Sequence, residues 1–235
     1  MNAIHQETEN WYQEYYKKKG GNRNALSNPQ VLFQFLAGQS AMIKALTKVT
    51  ELIAKPTFDI KVLDVGCGGG GSLHLFSYFK FIEHNLYGID ILPERIEEAR
   101  VIRERINFSI NDATKLDFTD EIFDITFEST MFVQITDHTL ASRISEEMVR
   151  VTKKGGYIIL EDWRYSKPNN TTYKGVTKYR IKELFPNCEV INTYKGQLIP
   201  PIGRFLSKNI PSLYFLAQSL FPFLVGLKVT VLRKK

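Results

Sequence analysis

Lys61-Val-Leu-Asp-Val-Gly-Cys-Gly-Gly-Gly-Gly-Ser-Leu73 sets a buried strand, an acid and a glycine turn in series. Val62, Leu63 and Val65 read as a continuous apolar β segment, Gly66 to Gly71 as a loop nearly bare of side chains, and Ser72 to Phe76 as a helix opening. Glycines allow positive φ and close backbone approach, while the free amides and dipole of the helix start favour an electronegative group on a bound molecule. As a pattern, Gly66-x-Gly68-x-x-Gly71 with Asp90 downstream satisfies the dinucleotide fingerprint, so the spacing alone leaves the cofactor open. Asp64 tilts the choice. A carboxylate two residues before the first glycine points at the loop mouth, where it repels a pyrophosphate and welcomes a cation. Cys67, with no His or second Cys near it in sequence, reads as a small packing residue.

Working outward, strands and helices alternate: strand 61–65, helix 72–80, strand 86–90, helix 93–103, strand 106–110, strand 123–128, helix 139–152 and strand 156–162. The alternation predicts an α/β fold, a mostly parallel sheet covered on both faces. Pro93 suits the first position of its helix and Gly155-Gly156 a helix C-terminal cap. A helix near 176–185, a strand 189–194 and a last strand 228–233 follow. Ahead of the sheet, Leu32, Phe35, Leu36, Met42, Ile43, Leu46 and Val49 recur at helical spacing, and Pro56 stops that helix. One domain is expected over 1–235, with a helical cap at 1–55, a cofactor-binding core at 60–195, an apolar insertion at 196–227 and the last strand at 228–235.

From Lys61 to Leu160 the motifs resemble, in order, the class I S-adenosylmethionine-dependent methyltransferases. Asp64-Val-Gly-Cys-Gly-Gly-Gly70 looks like their first motif, Leu86-Tyr-Gly-Ile-Asp90-Ile91 like the second strand, Asn111-Asp112-Ala113 like the third-strand end, Phe123 to Glu128 like the fourth strand, and Met148 to Leu160 like the helix, turn and fifth strand. The resemblance implies a seven-stranded Rossmann-like sheet whose last two strands are antiparallel. It also implies S-adenosyl-L-methionine as cofactor, with Asp64, Gly66, Cys67, Gly68 and Gly70 around the loop, and Asp90 and Ile91 at the ribose. Asp112 and Ala113 would flank the adenine, with Glu128 and Arg23 at the methionine end. A looser resemblance is to methyltransferases encoded among bacterial surface-polysaccharide genes. It points to a hydroxyl of a sugar or glycan as acceptor, with a lipid or quinone-like molecule as the alternative.

Methyl transfer is an in-line displacement, so such a protein must align groups and exclude water, and a hydroxyl acceptor also needs a base. Candidates lie just past the strand ends. His138 is the first, because an unperturbed imidazole titrates near neutrality, although Asp137 could simply cap a helix that His138 begins. Asp162 and Glu128 are the others. Glu161 and Asp162 point to opposite faces of a continuing strand, so no metal site is assigned. Trp163 and Tyr165 are available to stack on an acceptor ring. A short-chain NAD(P) oxidoreductase is the rival class, but the only Tyr-x-x-x-Lys after its pattern, Tyr15 to Lys19, precedes the glycine loop. Nothing after the fourth strand resembles the Asn-Pro-Pro-Tyr of base-modifying relatives, so no nucleic-acid partner is expected.

A formal charge of +6 is modest and gathered in short runs such as Lys17-Lys18-Lys19 and Arg233-Lys234-Lys235. Two distant cysteines and no signal-like apolar run near the start fit a reducing cytoplasm. Ile210 to Leu227 is apolar but broken by Pro211, Gln218 and Pro222. It reads as a lid, as an interfacial helix making peripheral membrane contact, or as a homodimer contact, and not as a transmembrane span.

Overall fold

The computed structural model describes residues 26–166 and 172–235. The readings made for Arg23, for Tyr15 to Lys19 and for the first lysine run lie outside them.

Seven strands form one sheet: β1 Val62–Val65, β2 Leu86–Asp90, β3 Asn107–Ile110, β4 Phe123–Ser129, β5 Thr152–Trp163, β6 Cys188–Lys195 and β7 Leu227–Lys234, in the order β3-β2-β1-β4-β5-β7-β6. β1 pairs in parallel with β2 and β4, β2 with β3 and β4 with β5, while β7 runs antiparallel to both β5 and β6. This is the Rossmann-like arrangement expected. β1 is at the sheet's switch point, where order reverses and where open α/β sheets bind ligands.

Alternation along the strands divides the core in two. Val62, Phe127, Ile159 and Val231 pack on one face with α1 (Pro29–Ile53), α2 (His74–Tyr78) and α3 (Pro93–Ile102), through residues such as Leu46, Phe76 and Ile96. Leu63, Val65, Ile158 and Leu160 pack on the other with α4 (His138–Val151) and α5 (Lys178–Leu184), through Ile144, Met148 and Ile181. The long first helix starts on an Asn28 side-chain cap that accepts the Gln30 N–H at 3.0 Å, with Pro29 at its first turn.

One local expectation changes. Gly155-Gly156 does not cap the preceding helix. α4 ends at Val151, and its next residue, Thr152, already begins β5. Gly155, at φ +72°, instead turns the strand entry where the β4–β5 register shifts. A side chain at Gly156 would lie 2.8 Å from the Lys153 carbonyl and 3.0 Å from that of Asp124.

The insertion folds as α6 (Pro200–Asn209) and α7 (Tyr214–Leu220) and lies along α1. Ser207 of α6 donates to the Pro29 carbonyl at 2.6 Å and accepts the Phe33 N–H at 3.1 Å, satisfying backbone groups at the α1 start. The buried Gln34 amide donates to the Leu198 carbonyl at 3.0 Å and accepts from the Tyr214 hydroxyl, which itself takes the Leu198 N–H at 3.0 Å. Among the described residues, no helix is long and apolar enough to cross a membrane.

Gly203 lets these helices meet, since a Cβ there would stand 2.4 Å from the Gln34 carbonyl oxygen. Gly203→Ala is expected to displace Gln34 and cost about 1–3 kcal/mol despite the better helix propensity of alanine, read by urea unfolding. An unchanged midpoint would contradict this packing.

Candidate active site

The glycine loop takes the backbone shape its composition allows. Gly66, Gly68 and Gly70 all have positive φ, at 74°, 52° and 72°. The Gly66 and Cys67 amides both donate to the Ile89 carbonyl, at 2.9 and 2.8 Å, and the Gly68 amide donates to the Asp90 carboxylate at 2.8 Å. The other Asp90 oxygen accepts the Leu92 N–H at 3.0 Å. Asp90 thus locks the loop to the end of β2, while burial pushes its pKa upward. Cys67 is buried beside Gly88, and burial pushes its thiol well above the ordinary range, so it packs and does not react.

Gly66, Gly68, Asp90, Ile91, Asp112 and Ala113 line one cavity, together with Asn111 and Met131. One Asp112 carboxylate oxygen takes the Thr114 N–H at 2.9 Å and its hydroxyl at 2.8 Å, which fixes the turn after β3 against that cavity. A second, wider cavity of about 480 Å³ opens on the α1 side. Its walls include Phe35, Met42, Leu75, Phe127, Trp163 and Leu227, with Gln197, Pro200 and Arg204 from the insertion closing it. Ser129 and Thr130 line both cavities.

Between the two, the backbone is strained. Thr130 has φ +60°, a conformation that costs a β-branched residue about 1–3 kcal/mol. Its amide donates to the Glu161 carbonyl at 2.8 Å, and the neighbouring Ser129 hydroxyl donates to the Glu161 carboxylate at 2.9 Å. β5 thereby sets the shape of the β4 exit.

The electrostatics are one-sided. Asp64 is fully buried, neither of its oxygens has a hydrogen-bond partner among the described residues, and burial, then Asp90, then Glu161 drive its pKa well up. Glu161, in the wall of the wider cavity, is pushed up to about 7 by burial despite the Ser129 bond. A buried acid cluster with unpartnered oxygens beside an amide-rich loop suits a molecule carrying both positive charge and polar hydroxyls. The residues therefore fit S-adenosylmethionine, whose bound form supplies an electrophilic methyl group on a sulfonium. Asp90, Asp112 and Ala113 line the cavity expected to take the ribose and adenine, whereas Asp64 is fully buried and lines neither of the two cavities.

The three residues expected to carry catalysis are not brought together. His138 is exposed at the first turn of α4, outside both cavities, and Asp137 caps that helix by accepting the Leu140 N–H at 2.7 Å. Glu128 is fully buried on the α4 face and accepts the Met131 N–H at 2.9 Å. Asp162, on that same face, accepts the Val133 N–H at 2.9 Å and the Trp163 N–H at 2.8 Å. These two acids hold the Ser129–Ile135 turn from beneath, with Arg180 bonding the Ile135 and Lys174 carbonyls beside them. Burial pushes Asp162 up to about 8 and Glu128 well up. Asp162 lines a third cavity on the α5 side, with Leu160, Val176 and Ile181, whereas Glu161 lines the wider one, and among the described residues no group of three or more His, Cys, Asp or Glu is placed to hold a metal ion. Of the two aromatics, Trp163 lines the wider cavity and Tyr165 the third one, beside Asp162. Glu161, absent from the expected site, has the geometry instead.

A switch-point pocket of this form, built for an adenosyl sulfonium, defines a class I S-adenosylmethionine-dependent methyltransferase. Residues 57–206 match the family model described as a methyltransferase domain, and the chain belongs to that family. It is 29% identical over 69% of its length to 2-methyl-6-phytyl-1,4-hydroquinone methyltransferase of Synechocystis, and 24% identical over 73% to demethylmenaquinone methyltransferase of Bacteroides fragilis. The matched segments span 50% and 64% of those two relatives. A SAM-dependent methyltransferase of Methanosarcina mazei superimposes with a TM-score of 0.53 at 20% identity, over 75% of this chain and 92% of that one, and shows the same fold.

Carboxyls with raised pKa values impose a pH dependence on stability. Their contribution is present below the unfolded values near 4 and is lost as pH rises through the folded value, about 7 for Glu161. Thermal unfolding of the unliganded protein is expected to fall from pH 5 to pH 8, and Asp64→Asn to flatten that fall by about 1 kcal/mol or more. A melting temperature that climbs across this range would show these acids to be compensated.

Proposed function

We propose that the chain methylates an amphipathic aromatic acceptor, a hydroquinone-like ring bearing an apolar tail. The carrying observation is Glu161, a carboxyl pushed up to about 7 in the wall of a cavity that meets the cofactor cavity at Ser129 and Thr130. An aromatic ring bordered by Phe35, Phe127 and Trp163 would bury its faces, while its hydroxyl reaches Glu161 in that wall. Two relatives whose names specify a phytyl hydroquinone and demethylmenaquinone support the same chemistry.

Glu161 is the base in this reading. Its ionised carboxylate takes the proton of the ring hydroxyl, and the electron density left on the ring or its oxygen attacks the methyl carbon in line with the departing thioether. A base with pKa near the working pH combines a useful ionised fraction with useful basicity. Ser129, donating to Glu161, fixes the direction of its second oxygen. Asp64 steadies the cationic end, and the strained Thr130 turn keeps the two cavities in register. His138, Asp162 and Glu128 have no direct contact with the acceptor here; the acids act by holding the turn.

The sugar or glycan hydroxyl expected from the sequence is less well supported, because the names of these two relatives specify quinol-type acceptors and neither specifies a sugar. Of the polar residues in the wider cavity, Gln34 is committed to Leu198 and Tyr214.

The test is turnover with labelled S-adenosylmethionine on a short-tailed prenyl hydroquinone and, in parallel, on nucleotide sugars. Methylation of the quinol alone is expected, with kcat/KM rising through pH ~7 to a plateau. Glu161→Gln should lower kcat about 100-fold or more and remove that rise, with cofactor affinity nearly unchanged. Transfer to the sugars alone, or a Glu161→Gln enzyme with the parental rate, would overturn the proposal.

A further inference from the structure

The insertion leaves an apolar surface that the fold does not use. Phe205, Leu213, Leu216, Leu220, Phe221 and Phe223 all project outward, with Leu220 62% and Phe223 63% exposed. A run of large apolar side chains left in water across 205–223 marks a contact surface, since scattered singles are the ordinary pattern elsewhere. Its helices are short and proline-started, α6 at Pro200 and the turn before α7 at Pro211, which suits elements lying on a surface and not crossing it.

The charge around this face is of one sign. After Glu189 the chain carries no further Asp or Glu, while basic residues recur from Lys195 to Lys235. Two of the cations sit directly on the insertion's backbone. Lys195 donates to the Ser219 carbonyl at 3.4 Å, and Arg164 donates to the carbonyls of Pro222 and Phe223, each at 2.9 Å. Lys208 closes the last turn of α6, and Lys228 lies within the field of Arg164 and Lys195. The partner helix α1 is also without acids from Pro29 to Thr50. An apolar face ringed by cations and free of carboxylates complements an anionic lipid surface, where apolar side chains enter the interface and lysines or arginines meet headgroups.

We propose that the α6–α7 face docks this protein on an anionic lipid bilayer. Pro200 and Arg204 of the docked insertion also line the wider cavity, so docking brings that cavity's wall against the lipid phase. It deepens the acceptor reading by giving an apolar-tailed substrate a route that avoids water, and its occupant is lipid and not a second copy of the chain.

The experiment is co-sedimentation of the full chain with phosphatidylcholine vesicles made with and without phosphatidylglycerol. Binding to the anionic vesicles alone, released by salt, is expected. The paired change Phe221→Glu and Phe223→Glu should lower partitioning at least about tenfold, and Lys195→Glu with Lys208→Glu should do the same for anionic vesicles. Melting temperature and S-adenosylhomocysteine affinity are expected to stay at the parental values, because these side chains are remote from the cofactor loop. Parental partitioning by the Phe variant, equal binding to both vesicle types, or a dimer in analytical ultracentrifugation that the Phe variant dissociates without any vesicle binding would each overturn the proposal. Vesicle binding needs no acceptor, so docking without quinol turnover sinks the acceptor reading alone, and quinol turnover in detergent without docking sinks this one alone.

Discussion

Buried carboxyls toward the carboxyl ends of three strands are the constraint around which this protein is arranged. Asp64 stands next to last in β1 with both oxygens unpartnered, Asp90 ends β2 holding a loop amide, and Glu161 stands near the end of β5 across the β4 exit. Burying carboxyls this way costs several kcal/mol unless they are protonated or met by a cation. The structure accepts that cost where a methyl-bearing sulfonium would repay it. The glycine loop, the strained Thr130 and the buried Glu128–Asp162 pair can all be understood as holding these acids in position.

Much of the fold was legible because its signals are local. Apolar runs, the Pro93 helix start and the Asp64-to-Gly71 loop fall where strands, helix and turn form, and the end of β2 at Asp90 follows from strand length alone. The catalytic side was harder to read. In a sheet buried on both faces, alternation has no polar side to anchor it, so Glu161 and Asp162 are equivalent in sequence. Only the packing of α1 against Ile159 and Val231 marks the Glu161 face as the one with the open cavity. His138 attracted attention by chemistry, but Asp137 is a stronger helix start than His138 is a base. The insertion was recognisable as apolar, while its seating on α1 depends on Gly203, Gln34 and Ser207, three residues with no distinctive local pattern.

Two cavities meet at Ser129 and Thr130. One is built from loops after the parallel strands. The other is built from α1 and an insertion between the two antiparallel strands at the sheet's far edge. The division lets the task of holding a charged cofactor stay separate from that of admitting an acceptor, since the cavities draw largely on different segments of chain.

The most direct measurement is calorimetric titration with S-adenosylmethionine and, separately, NADH, each in buffers of different ionisation enthalpy near pH 7. Binding of the sulfonium with net proton release is predicted, because its positive charge lowers the raised pKa of Asp64, and NADH should bind far more weakly. Tight NADH binding, or sulfonium binding with no proton exchanged, would contradict the acid cluster as the basis of recognition.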